Sequence, residues 1–308
     1  MKTLNVNDFA LLFKSDKVDL PKETIAMIRE YNWDYSEIDN FELNNLIESA
    51  FERIVNKGFS RVDGHDSSRW EKGWGENLES FKNTNHSFSS LVPKYIKPNM
   101  PIRLNGKFVK PFDDNFEKNW YSVMRDWFFR TQLKDFSCIY EFGCGSGHNV
   151  AELALMYPEK HIYGFDWVQP SVDIINDMKN KLNLKVEGAI FDFFKPDYSL
   201  SIRPNSAVIT MGALEQTGLE FKDFFDFLLE KKPLKCFHFE PIFEFYNKNI
   251  LFDYLAVRAH EEKNFWRGAT IFLKELENNN KLKITKSHRV SFGSLALEGY
   301  SQIFWEPK

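Results

Sequence analysis

The 308-residue sequence predicts an α/β fold: a doubly wound, mostly parallel seven-stranded sheet with an antiparallel last strand pair, plus a helical N-terminal cap region. Three observations predict it. From about Phe116 onward, short strand-like runs alternate with stretches of helical periodicity, the pattern of a parallel sheet covered on both faces. Gly143, Gly145 and Gly147 follow the first run, where a strand turns into a helix and the backbone needs room. Only about nine residues, 291–299, separate the last two runs. A parallel crossover needs about a dozen or more, so these strands pair antiparallel.

The elements follow in chain order. Residues 1–115 read as a mainly helical cap and acceptor region with a short hairpin, and 116–308 as the sheet domain. Asp39 with Glu42 three residues on is a variant capping box. Leu43, Leu46, Ile47, Ala50, Phe51 and Ile54 then keep helical spacing up to a stop at Gly58. A loop-like stretch holds Asp63, His65, Trp70 and Trp74. Asn105-Gly106 between two short alternating runs is the strongest short hairpin signal. Residues 116–129 read as a helix carrying Trp120 and Tyr121. Strands are expected at 138–142, 161–166, 186–191, 207–210, 234–239, 282–290 and 300–305. Helical faces lie between them, the plainest being Phe221, Phe224, Phe225 and Leu228 at i, i+3, i+4 and i+7. Leu251, Tyr254 and Leu255 mark a later one, and Ala269, Phe272, Leu273 and Leu276 another.

Composition narrows the function. The net charge of −4 gives no basic excess for a phosphate backbone, so nucleic acid is not the expected partner. The 31 phenylalanines supply a core and leave material for a pocket that takes a flat ligand. Cys138, Cys144 and Cys236 are odd in number and widely spaced, which suits neither a disulfide framework nor a zinc ribbon. No apolar run approaches the roughly 18 residues of a membrane span, and the first residues are polar. A cytoplasmic protein acting on a small molecule is expected; the sequence does not set its oligomeric state.

Residues 139–149 read I-Y-E-F-G-C-G-S-G-H-N. Dinucleotide sites use G-x-G-x-x-G, and here His148 stands where the third glycine would be. The segment resembles the first motif of the class I, Rossmann-like, S-adenosylmethionine-dependent methyltransferases, E/D-x-G-x-G-x-G. The match is complete at Glu141, Gly143, Gly145 and Gly147, and the likeness covers about 116–308, terminal antiparallel pair included. The resemblance implies S-adenosyl-L-methionine as cofactor and S-adenosyl-L-homocysteine as product. It places Asp166, followed by Trp167, on the ribose hydroxyls, and Asp192 with Phe193 on the adenine. It puts Met211 and the loop to Gln216 beside the methyl donor, with Cys144 as a small filler inside the glycine turn.

Methyl transfer from a sulfonium is an in-line displacement in which the protein positions the acceptor and removes its proton. Candidate bases are His238 and Glu240, on one face of a strand, and His260 near the end of a helix. Glu215, Trp120 and Tyr121 are candidates for acceptor binding, with Trp70 and Trp74 as further ring surfaces. No tight H-x-x-x-H spacing supports a metal. The expected activity is O-methylation of a sugar or related small polar metabolite. A protein or amino-acid N-methyltransferase and a non-catalytic S-adenosylmethionine-binding interaction protein remain as alternatives.

Overall fold

The computed structural model describes residues 1–55 and 66–308; the expected stop at Gly58 and the loop positions Asp63 and His65 lie outside the described residues. The chain opens with β1 (Lys2–Thr3), α1 (Val6–Phe13), α2 (Lys22–Glu30) and β2 (Asp34–Glu37). Asn5 caps α1 by accepting from the Asn7 amide, and Asp8 answers on the Asn5 amide, a full capping box. Next comes α3 (Asn40–Val55), whose Asp39 accepts from the Glu42 amide at 2.8 Å. Trp70 and Trp74, expected in a loop, lie instead on α4 (Ser68–Asn83). Gly73 and Gly75 inside that segment hide its helical spacing. The hairpin is β3 (Ile102–Leu104) and β4 (Lys107–Pro111), with Asn105 and Gly106 both at positive φ as a two-residue turn of this kind requires.

The long helix α5 (Phe116–Gln132) leads into the alternating part: β5 (Cys138–Phe142), α6 (His148–Met156), β6 (His161–Asp166), α7 (Gln169–Leu182) and β7 (Val186–Ile190). The rest is β8 (Ser206–Met211), α8 (Lys222–Lys231), β9 (Lys235–Glu240), α9 (Leu251–Lys263), α10 (Ala269–Asn278), β10 (Leu282–His288), β11 (Phe292–Gly293) and β12 (Ser301–Pro307). The seven-stranded sheet runs β10-β12-β9-β8-β5-β6-β7. Its four inner pairings through β9, β8, β5, β6 and β7 are parallel, while β12 inserts antiparallel between β9 and β10. A second sheet runs β1-β2-β4-β3-β11 and is antiparallel throughout. Strands β1 to β4 thus share a sheet with Phe292 and Gly293, a pairing with no local sequence signal.

Alternation along the strands divides the core. Cys138, Tyr140 and Phe142 of β5 enter an aromatic layer with Phe224, Phe227 and Trp305. Ile139 points to the opposite layer, shared with α1, α5, α6 and α7. Glu141 therefore emerges on the α5–α6 side, which fixes where the site can form.

Candidate active site

The glycine turn joins β5 to α6. Gly143 and Gly145 have φ of 76° and 54°, and a Cβ at Gly143 would lie 2.3 Å from the Ala213 Cβ. At Gly145 it would meet the Trp74 indole at 2.8 Å. Both positions thus need glycine for conformation and for close approach. The turn is held by Gly143 and Cys144 amides donating to the Phe165 carbonyl and by the Gly145 amide donating to Asp166 Oδ2 at 2.8 Å.

A cavity of about 740 Å³ opens beside this turn, within the usual range of small-molecule sites. Glu141, Gly143, Cys144, Gly145 and Met211 form its floor; Glu215 and Tyr121 stand in its walls, as does Phe239 of β9. Trp70 and Trp74 stack on each other at 5.9 Å and close one side from α4. The loop 294–300 closes another. Arg103 of β3, sandwiched between Phe108 and Phe252, donates to the Leu295 and Phe252 carbonyls and holds that loop against α9.

Asn149, unmarked by the motif reading, connects the floor to the wall. Its amide nitrogen donates to Glu141 Oε1 at 2.7 Å and lies 3.4 Å from Met211 Sδ. Its oxygen accepts from Tyr121 Oη at 3.0 Å and Arg125 Nη1 at 3.2 Å. Glu141 is fully buried, and its other oxygen, Oε2, has no partner among the described residues. Burial, helped by the nearby Asp166 carboxylate, pushes Glu141 up to about 8. An unpartnered carboxyl oxygen in the floor of a cavity has room for a hydrogen-bond donor or, once ionised, for a cation. Asp166 is raised to about 6 by burial, against the amides that donate to it.

The nucleoside half expected from the motif is more withdrawn. Asp166 and Trp167 end β6, and Asp192 and Phe193 follow β7; none of the four lines the cavity. Phe193 sits 3.5 Å from the Cβ position of Gly143, and Asp192 accepts from the Phe194 amide in a local turn. The Trp74 indole packs over Gly145, and both line the cavity.

The expected bases require correction. His238 and Glu240 do share a strand face, but it is the face beneath α8, while Phe239 takes the cavity side. His238 is fully buried, with Nδ1 on Thr210 Oγ1 at 2.9 Å and Nε2 accepting from Trp305 Nε1 at 2.9 Å. Burial lowers it to about 3, so it is a neutral structural residue. Glu240 accepts the amides of Ala213, Leu214 and Glu215 and so shapes the loop after β8. Burial and the adjacent Glu215 carboxyl raise its pKa. His260 is buried among Phe243, Tyr246 and Phe265, outside the cavity lining, and is lowered to about 3 by burial. Trp120 also leaves the acceptor set: it is fully buried and stacks at 3.9 Å on Phe292 of β11. Tyr121 and Glu215 do line the cavity. Among the described residues no group of three or more His, Cys, Asp or Glu is placed to hold a metal, and no helix is long and apolar enough to cross a membrane.

The strand order with β12 inserted antiparallel beside β9 is the arrangement that the glycine motif's family implies. The fold is that of the class I methyltransferases. No protein-family model and no curated protein matches the chain by sequence. Solved structures match it at low identity. Geranyl diphosphate C-methyltransferase from Streptomyces coelicolor, solved with magnesium, geranyl diphosphate and S-adenosylhomocysteine, is 10% identical over 75% of this chain and 98% of its own, with a TM-score of 0.47. Magnesium protoporphyrin IX methyltransferase from Synechocystis, solved with S-adenosylhomocysteine, is 11% identical over 62% and 84%, with a TM-score of 0.44. A small RNA methyltransferase is 18% identical over 61% of this chain and 25% of its own, with a TM-score of 0.43.

Proposed function

We propose that this chain binds S-adenosylmethionine and transfers its methyl group to a hydroxyl oxygen of a small polar acceptor, a sugar or related metabolite. The observation that carries the reading is Glu141: a buried carboxyl with one unpartnered oxygen, beside a glycine turn, in the floor of a cavity walled by aromatic rings. The cofactor supplies a methyl group already activated on a positive sulfur. Glu141 would take its ammonium group, Asp166 its ribose hydroxyls, and Asp192 with Phe193 its adenine. Trp70, Trp74 and Tyr121 would hold the acceptor and exclude water.

The first test is calorimetric titration with S-adenosylmethionine, S-adenosylhomocysteine and NAD, on wild type and Asp166→Ala. Micromolar binding of the first two, weakened at least about tenfold in the variant, supports the reading, one good charged hydrogen bond being worth about 1.5–3 kcal/mol. Binding of NAD alone overturns it. Transfer of labelled methyl to sugars or nucleotide sugars supports the acceptor class; label only on protein or RNA overturns that part.

Glu141 adds a pH signature. With its folded-state pKa near 8, most Glu141 is protonated at pH 7, and a cation must displace that proton. Affinity for S-adenosylmethionine therefore rises about tenfold from pH 6 to pH 7 and flattens above pH 8, one pKa unit being a factor of ten. Binding heats at pH 7 should scale with buffer ionisation enthalpy as close to one proton is released. Glu141→Gln should bind weakly and without that pH dependence. A wild-type affinity that is flat from pH 6 to 8 would remove the ammonium role of Glu141.

A further inference from the structure

We infer that Glu117 is the group that accepts the acceptor's hydroxyl proton and that Tyr300 positions its carboxylate. The inference rests on the methyltransfer reading above and names a residue that the motif reading does not mark.

The geometry starts from α5. Glu117, Tyr121 and Arg125 are spaced i, i+4 and i+8, so they form one stripe along the helix. Two members are tied to the cofactor floor: Arg125 and Tyr121 both donate to Asn149, which donates to Glu141. Glu117 is the third member, one turn farther from that floor, and it lines the same cavity. Its hydrogen bond comes from Tyr300 Oη at 3.4 Å, a long one that leaves lone pairs for an incoming hydroxyl. Tyr300 comes from the segment just before β12, Tyr121 from α5 itself and Tyr95 from the 93–100 stretch, and all line the cavity. Tyr95 and Tyr300 are the titratable groups that interact with Glu117, and the same lining also holds Tyr121, Glu141, Glu215, His148, Cys144 and the cations Arg69, Lys94, Lys97 and Lys263. Among the described residues no cation is paired with Glu117. Burial pushes its carboxyl up to about 7, against the Tyr300 hydroxyl, which lowers it. A base poised near the working pH suits proton removal in step with attack.

Other groups are less suited. His238 and His260 lie outside the cavity lining. His148 lines it, but burial and the Arg125 guanidinium lower it to about 2, so it stays neutral and weakly basic. Glu240 is engaged with three amides. Glu215 is the rival; its oxygen accepts from Gln216 and it neighbours the Glu240 carboxyl.

In the step itself, the acceptor O–H bond breaks and the proton goes to Glu117. The oxygen's electron pair forms the new bond to the methyl carbon. The methyl–sulfur bond breaks with its electrons left on sulfur, so the sulfonium becomes a neutral thioether. Glu117 then returns the proton to water.

The test compares wild type, Glu117→Gln, Tyr300→Phe and Glu215→Gln as full chains, with glucose, UDP-glucose and glucuronate as methyl acceptors. S-adenosylmethionine affinity in Glu117→Gln should stay within about twofold of wild type. Its kcat should fall by about 10²–10⁴ with KM nearly unchanged, the range for removing a general base. Wild-type kcat at saturating S-adenosylmethionine should rise with pH through about 7 as the carboxylate forms, and Tyr300→Phe should move that limb to higher pH because a donor that lowers Glu117 is gone. A carbon-13 carboxyl titration of the S-adenosylhomocysteine complex gives a readout that needs no acceptor. One resonance should titrate near 7, be missing from Glu117→Gln and shift in Tyr300→Phe. Retained kcat in Glu117→Gln, an acid limb that disappears in Glu215→Gln instead, or the absence of a carboxyl titrating near 7 overturns the inference. Wild type that binds no S-adenosylmethionine overturns the underlying methyltransfer reading, a result distinct from all of these.

Discussion

Glu240→Leu should lower the free energy of unfolding by roughly 3–9 kcal/mol, at about 1–3 kcal/mol for each donor left without a partner. The three donors are the Ala213, Leu214 and Glu215 amides, and the Glu240 carboxyl is wholly buried beneath them. Leucine fills much the same volume, so the loss reports unpaired amides and not a cavity. Urea titration checks it: the midpoint should fall while the slope is kept. Glu240→Gln keeps one acceptor oxygen and should cost less. The sign of its pH dependence follows from the raised pKa. A carboxyl whose folded pKa lies above its unfolded value contributes fully below the unfolded value, and the contribution is lost as pH rises through the folded one. The gap between wild type and Glu240→Gln should therefore shrink with rising pH. An unchanged midpoint for the leucine variant would mean that water reaches these amides. Because the same amides order the loop that brings Glu215 and Gln216 to the cavity, ligand affinity should fall together with stability.

Arg289→Leu should be comparably damaging, about 3–5 kcal/mol, the range for breaking a buried ion pair from one side. Arg289 makes paired contacts with Asp253, one of them at 2.9 Å, and with Glu298 at 2.6 and 3.1 Å, and it also donates to the Phe245 carbonyl. Asp253 and Glu298 are themselves buried, so the variant strands two carboxylates. Without the guanidinium both would be held above their usual range, and the variant's remaining stability would be highest at low pH and lost as pH rises. The defect should thus be smaller near pH 5 than near pH 8. Adding Asp253→Asn and Glu298→Gln should restore part of the loss, since the cost comes from uncompensated charge. Thermal unfolding of Arg289→Leu and of the combined variant across pH decides it. An equal defect at both pH values would assign the loss to packing of the arginine stem.

The sheet was legible in the sequence because each inner strand is buried on both faces and bounded by turn residues. β5 and β6 fall on the expected residues, and β8 and β9 fall within one or two. The floor of the site was legible for the same reason: Glu141 and the three glycines are tied to one strand end by local chemistry. What local pattern cannot supply is which face of a sheet looks at the cavity. Period-two spacing put His238 and Glu240 together but gave no reason to prefer the α5 side over the α8 side, and Phe239 occupies the former. Helix α9 misled in a similar way. Of its expected face Leu255 is buried but Leu251 and Tyr254 are exposed, while Asp253, Ala256, Ala259 and His260 are buried, because polar residues with partners or aromatic neighbours fill the inner side. Glu117 and Tyr300 are 183 residues apart in the chain, and only the packed fold brings them together.

The pairing of β11 with β3 bears on how the chain comes into being. Its N-terminal sheet is completed by Phe292 and Gly293, and the end of α1 is met by Lys286 and His288, which bond the Phe13 and Leu12 carbonyls. A ribosome releases the chain from its N-terminus, so residues 1–115 emerge long before the segments that finish their edge. Until then the hairpin presents an unpaired strand and Trp120 lacks the ring it stacks on, both features that invite association with other chains. The walls of the cavity are consequently among the last parts to be assembled, and losing some twenty residues from the C-terminal end would remove both a sheet edge and one side of the site.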